Sequence, residues 1–564
     1  MGVDVSEVLD ASRPRQLSYY LVTLLIAPFR LVPPLSWAYV AYRIHTGSVQ
    51  SLEWKGRLLF AVCVSEVSVL SFPLRAFANP LQVLFSIYHY YLYCFISAPW
   101  KHGSGNISQL QIAFERVLKA GLASVDGGSI RRPGSPAEPI TQLESDDPRA
   151  IDFRDSLRTW FGRVPWSHVR KLQVQQWVYW SIFNKDLPPE REMPAAHRAV
   201  LDDTLQLLEM RLGMKIPDGS NPAASPMRLT IDRVEVCGRP FFFYVIVGLI
   251  NRYLSFWYGR YWKLRRGNYN GLEYLLYVPE GWTVDAGPSP IVFLHGLGLG
   301  LLQYYPMTKK LYRGFSDRPL LIPIQPHISQ DIFHPQYLNP LCRQDFADLL
   351  AGLVDALGWV DRDPDDLCKE ASPTTGVTML SHSNGSYPHA WCLKQHPEIV
   401  SRSCFVDPVV FGSWEGDVCY RFLYRSATTG FELFIRYFVG TELGVSNLLR
   451  RNFDWSSNSL WAEEIQVSMN PLQPSSYWEE RMPSSMPRSD LGVIIRCVCS
   501  DQILQRVEKY LTSHGVKEGL WHDPEGQHGQ ALLTGSPGLK RIMQWLQDEP
   551  VRSRRGDSSL TFIP

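Results

Sequence analysis

The chain has almost no excess charge of either sign. Across 564 residues, 56 Lys and Arg face 55 Asp and Glu, a formal net charge of +1. With no basic excess there is no electrostatic footprint for a nucleic-acid partner. Paired cysteines are also missing. The ten cysteines are scattered from Cys63 to Cys499, with no C-x-x-C pair and no Cys/His ligand spacing. That argues against a metal site. Cys497 and Cys499 stand two apart on an expected strand and face one side. Buried thiols suit that placement better than a disulfide, which implies a reducing compartment. No glycine cluster has dinucleotide spacing or is followed by a Lys-Ser/Thr pair, so phosphate binding is a poor reading. Nor does any clean apolar run reach the about 20 residues of a spanning helix.

Aromatics, by contrast, are plentiful at 12%, with 18 Trp. They favour apolar surfaces or a greasy binding site. Leu17 to Tyr42 is apolar but interrupted by Pro28, Arg30, Pro33 and Pro34, and proline inside a helix breaks its bonding. Leu58 to Leu74 carries Glu66 and Pro73. Leu81 to Ser97 has no formal charge and is the best spanning candidate, though short, with Tyr88, Tyr90, Tyr91 and Tyr93 giving it an interfacial character. Pro240 to Trp257 is broken by Asn251 and Arg252 and suits a span, a membrane-docked helix or a cover on the following domain. The broken runs fit a monotopic hairpin at least as well as clean spans. The N-terminal flank does not look like a cleaved signal peptide. Met1-Gly2-Val3-Asp4-Val5-Ser6 formally fits a myristoylation pattern, one short enough to arise by chance.

Further on, apolar strand-like runs alternate with helical patterns: Tyr274 to Val278, Pro290 to Leu294, Leu320 to Ile324, Val377 to Ser381, Cys404 to Val406 and Val493 to Val498. Such alternation predicts a mostly parallel sheet, whose sites form at the carboxyl ends of strands. Within it, Val377-Thr378-Met379-Leu380-Ser381-His382-Ser383-Asn384-Gly385-Ser386 reads as buried strand, sharp turn and helix, with Ser383 at the tip. This arrangement lifts a serine hydroxyl off the backbone and aims the first helical amide at the same spot. The usual pattern is G-x-S-x-G, and Ser381 stands where the first glycine belongs. The position must be small, and Ser is small enough.

From about Glu273 to Leu546 the chain resembles the α/β-hydrolase superfamily in its lipase/esterase-like serine-hydrolase branch. The resemblance rests on three markers in order: His295-Gly296-Leu297-Gly298 after a strand, Ser383 in the elbow, and an acid followed by a His near the C-terminus. It implies an α/β-hydrolase fold with a helical cap insertion at about 411–490. It implies the amides of Leu297 and Asn384 as the oxyanion hole, with His295 structural. The base expected from the family position is His528, in Pro524-Glu525-Gly526-Gln527-His528-Gly529, ahead of His522 and His514. The acid expected is Asp501, after the next-to-last strand, with Asp407 as the alternative because some members carry it one strand earlier. No cofactor and no metal are implied.

The expected organisation is therefore an apolar, membrane-associated helical region over 1–120 and a flexible linker over 121–148. A helical, aromatic-rich region follows over 149–260, then the catalytic domain over 261–550 and a polar tail over 551–564. The expected function is a membrane-associated intracellular hydrolase of a hydrophobic acyl ester, plausibly a lipid, with its catalytic domain on the cytosolic side. Alternatives on the same residues are an acyltransferase, other chemistry of the superfamily, and a non-catalytic membrane-bound binding or scaffold protein. Asn384-Gly385-Ser386 is formally a glycosylation acceptor, and a glycan there would ruin the site.

Overall fold

The structure is a computed structural model. It describes residues 4–8, 13–48, 52–55, 81–98, 107–120, 140–284, 287–360, 376–466, 490–495, 501–514, 516, 519–522, 526 and 528–548. The Leu58 to Leu74 run, residues 121–139 of the expected linker, the Cys497/Cys499 pair and the polar tail lie outside these residues.

Eight strands form one sheet: β1 (Arg265–Tyr269), β2 (Leu272–Tyr277), β3 (Ile291–Leu294), β4 (Leu320–Pro323), β5 (Val377–His382), β6 (Val400–Val406), β7 (Asp490–Ile495) and β8 (Leu520–His522). Their order is β1-β2-β4-β3-β5-β6-β7-β8. The β1–β2 and β2–β4 pairs are antiparallel and all later pairs are parallel. The central strands read as continuous apolar runs because helices cover both their faces. All of β3, β4 and β5 is buried. Strand β1, with Arg265, Arg266 and Asn268, carries no apolar alternation and was not expected. It forms because Asn270-Gly271 turns the chain back through two positive-φ residues, which a two-residue hairpin requires.

The helices used below are α1 (Leu17–His45), α2 (Leu81–Ser97), α3 (Ile107–Lys119), α4 (Pro148–Leu157), α5 (Lys171–Phe183), α6 (Ala195–Leu212), α7 (Phe241–Tyr261), α8 (Leu301–Gly314), α9 (Arg343–Ala356), α10 (Ser386–Gln395), α11 (Gly430–Ile435), α12 (Leu443–Arg451), α13 (Asp501–Ser513) and α14 (Pro537–Gln547). Helix α1 corrects the expectation of a broken run. Pro28, Pro33 and Pro34 lie inside one continuous helix. They deprive only the carbonyls of Leu24, Phe29 and Arg30 of their usual donors. Helix α6 is amphipathic and buries Leu201, Leu205, Leu208 and Leu212.

The aromatic residues of α5 are core. Trp177, Val178 and Trp180 pack with Trp160, Phe161 and, from the cap, Phe411, Leu460 and Trp461. Trp414 and Trp461 stack with ring centroids 4.6 Å apart. The cap is thus welded to the helical region by a shared core. Arg450 and Arg451, two charged residues of the segment between β6 and β7, are buried. Arg451 donates to the carbonyls of Ile96, Thr230 and Asp232. These bonds satisfy a guanidinium that desolvation would otherwise make costly to bury.

Candidate active site

The parallel register aligns three strand ends. Leu294 of β3 lies beside Ser381 of β5, and His382 of β5 lies beside Val406 of β6. The residues that follow these ends, His295-Gly296, Ser383 and Asp407, therefore gather at one edge of the sheet.

Ser383 has φ 54. A non-glycine residue pays strain for that conformation, and such strain concentrates at functional sites. The elbow is held by close packing. A Cβ on Gly385 would lie 2.2 Å from the carbonyl oxygen of Leu294, so that position admits only glycine. A Cβ on Gly296 would lie 2.8 Å from Cβ of Ser383, so the loop after β3 rests directly on the nucleophile candidate. The Ser386 hydroxyl donates to the Ser383 carbonyl at 2.6 Å and accepts from the Val409 amide at 3.1 Å.

Ser381 also has its explanation. Its hydroxyl lies 2.8 Å from Nδ1 of His389, whose Nε2 lies 3.1 Å from the Ser403 hydroxyl. All three side chains are buried. The His389 ring stacks on Phe405 at 4.0 Å, and burial lowers its pKa to about 3. It is neutral, so one ring nitrogen donates and the other accepts. The place of the missing glycine is thus taken by a serine with a dedicated partner on α10.

His528 places Nε2 2.8 Å from Oγ of Ser383. His522 contacts Glu508 at 3.3 Å, and His514 packs on Tyr510. His295, expected to be structural, is buried. Its Nδ1 lies 3.0 Å from the Gly296 carbonyl, and its pKa is lowered to about 4 by desolvation.

Of the two acid candidates, Asp407 is 1% exposed and has φ 48. Its Oδ2 accepts from the amide of Gly529, next to His528, at 2.7 Å. Asp501 is the first residue of α13, and its side chain lies outside the described residues. Two side chains that sequence reasoning missed complete the neighbourhood. The Tyr304 hydroxyl accepts from the Gly296 amide at 2.8 Å and lies 2.7 Å from Nδ1 of His382. His382 Nε2 is 3.6 Å from Oδ2 of Asp407.

In the loop after β3, the Gly298 amide is committed to the Ile328 carbonyl and that of Leu299 to Oε1 of Gln303. Among the described residues the Leu297 amide takes no such partner. From outside the sheet, Asn251 of α7 donates to the Leu299 carbonyl and accepts from the Leu302 amide, both at 2.9 Å. Among the described residues no group of three His, Cys, Asp or Glu is placed to hold a metal ion.

No family model matches the chain. No curated protein matches it either. Solved structures do. One is an α/β hydrolase, MGS-MChE2, from the metagenome of lagoon sediments at Mar Chica, Morocco. It is 15% identical over 50% of this chain and 98% of that one, with TM-score 0.27. Another is the carboxylesterase CesB from Bacillus subtilis, 13% identical over 54% and 97%, with TM-score 0.27. A third is the peroxisomal α/β-hydrolase Lpx1 from Saccharomyces cerevisiae, 15% identical over 50% and 85%, with TM-score 0.29. The chain's own strand order, its strained Ser383 turn between β5 and α10, and the glycine loop packed against that turn make this an α/β-hydrolase fold.

Proposed function

We propose that the protein is a membrane-associated serine hydrolase of hydrophobic carboxylic esters, lipids among them. One observation carries the reading: a serine in a strained elbow with a histidine nitrogen 2.8 Å from its hydroxyl. Ser383 Oγ attacks the acyl carbonyl while His528 Nε2 takes its proton. The amides of Leu297 and Asn384 receive the developing oxyanion. His528 returns the proton to the leaving alcohol, and water activated by the same nitrogen then frees the acid. A carboxylate behind His528 stabilises the imidazolium. Asp501 and Asp407 are the candidates, and the Gly529 contact favours Asp407.

The membrane part of the reading rests on helices α1 and α7, both long and apolar enough to cross a bilayer by length and composition. Leu24 on α1 and Phe256 on α7 are each about 70% exposed, which is costly in water and favourable in lipid. The proposed setting is intracellular, with the active site on the cytosolic face.

The test is labelling of the detergent-solubilised full chain by a fluorophosphonate. Wild type is expected to label and Ser383→Ala not to. Labelling that survives in Ser383→Ala overturns the assignment of the nucleophile. A folded wild type that stays unlabelled favours a non-catalytic relative. Product analysis with a competing alcohol separates hydrolysis from acyl transfer.

A further inference from the structure

We infer that Tyr304 and His382 are positioning residues, a buried pair that ties the oxyanion loop to Asp407 and so makes Asp407 the acid behind His528. The inference rests on the serine-hydrolase reading and sharpens it.

The proton inventory fixes the direction of each contact. A phenol has one proton and accepts through its lone pairs. The Gly296 amide can only donate to Tyr304, at 2.8 Å, so among the described contacts the acceptor for the phenol proton is Nδ1 of His382 at 2.7 Å. With Nδ1 an acceptor, the neutral ring carries its hydrogen on Nε2. That N–H faces Oδ2 of Asp407 at 3.6 Å, a charge–dipole contact rather than a hydrogen bond in this state. The same Oδ2 holds the Gly529 amide at 2.7 Å. One carboxylate oxygen is therefore addressed from two sides, by the residue before the nucleophile and by the residue after the base.

Neutrality is what makes His382 useful there. Its ring centroid is 5.3 Å from that of His528. A cation at that distance would oppose the imidazolium formed when His528 takes the serine proton. Burial holds the His382 pKa down to about 3, so it offers Asp407 a donor without competing for that proton. Tyr304 adds a second function. It lies in the first turns of α8 and reaches back over its own loop to fix Gly296, the residue packed against Ser383. Acid, nucleophile turn and oxyanion loop are thereby set by one buried chain of contacts, the arrangement by which supporting groups hold reacting ones in register.

The experiment measures fluorophosphonate inactivation of the full chain in detergent, separating the maximal rate from the half-saturating concentration. The variants are Tyr304→Phe, His382→Gln and His382→Leu, each checked by its melting curve. Gln keeps a donor near the Nε2 position, whereas Leu fills the space and keeps none. The expected result is a maximal rate about 100-fold lower in His382→Leu and about 10-fold lower in Tyr304→Phe, with half-saturation unchanged. His382→Gln is expected within about fivefold of wild type. A folded His382→Leu that reacts like wild type, or a His382→Gln as slow as His382→Leu, overturns the inference. So does a Tyr304→Phe at the wild-type rate. Wild type failing to label is a different outcome: it removes the hydrolase reading and the inference with it.

Discussion

Restoring the glycine that the elbow pattern calls for is expected to damage this protein. In Ser381→Gly the hydroxyl that meets Nδ1 of His389 at 2.8 Å disappears, and nothing replaces it, because both residues are fully buried. Leaving one buried polar nitrogen without a partner costs about 1–3 kcal/mol. Glycine inside a strand adds about 0.5–1 kcal/mol through the entropy of the unfolded chain. The sum, about 1.5–4 kcal/mol, corresponds to a fall in melting temperature of about 3–16 °C on the scaling for domains of 150–250 residues. Ser381→Ala keeps Cβ and isolates the hydroxyl, so its loss should be the smaller of the two. Combining Ser381→Gly with His389→Leu removes the orphaned nitrogen, and the pair should cost less than the sum of its parts. The assay is thermal unfolding of the full chain in detergent, followed by tryptophan fluorescence. A Ser381→Gly protein that melts at or above the wild-type temperature would refute the argument. It would mean that the contact of the hydroxyl with His389 contributes nothing to stability.

Other outcomes follow from the same geometry. Asp407→Asn is expected to slow phosphonate labelling by about 10³–10⁴ and Asp501→Asn to slow it far less; the reverse order returns the acid to the strand after. Gly385→Ala forces a carbon to within 2.2 Å of the Leu294 oxygen, and should yield a destabilised protein with no labelling, measured by melting curve and probe together. Stability should fall below neutral pH. His327, His382 and His389 have pKa values lowered to about 3 and His295 to about 4 by burial. In the unfolded chain they titrate near 6.5. Between these values the unfolded state binds more protons, so the contribution is complete above about pH 6.5 and is lost as pH falls towards 4 and 3. The loss is up to about 1.4 kcal/mol per pH unit for each histidine. Equal melting temperatures at pH 7 and pH 5 would contradict this.

The parts of the fold that follow from local pattern were legible in the sequence. Strands β3 to β6 announced themselves as buried apolar runs. The elbow was read despite Ser381, and His528 was chosen by its place after the last strand. What escaped depends on partners far along the chain. Tyr304 and His382 lie 78 residues apart, and neither is unusual in its own segment. Nothing in its own segment marks Arg451 for burial, because the carbonyls that satisfy it belong to Ile96, Thr230 and Asp232. Helix α1 was misjudged because local rules weigh each proline singly, whereas a helix of 29 residues survives the loss of a few of its bonds. The one available hint at the buried network was Ser381 itself: a polar residue where glycine belongs invites a search for a partner on the following helix.

The contact between α1 and the cap has a practical side. A Cβ on Gly430 would lie 2.5 Å from the Ser18 carbonyl oxygen, and the Gln16 amide donates to the Thr428 carbonyl at 2.9 Å. Ile26 closes a small core with Leu433 and Tyr437. Shortening the chain to begin after His45, the natural way to seek a form without α1, would strip the cover from these cap residues. The trimmed protein would exchange one greasy surface for another, in the segment between β6 and β7. Preparing it whole, in detergent or lipid, keeps the cap in the state in which its chemistry can be judged.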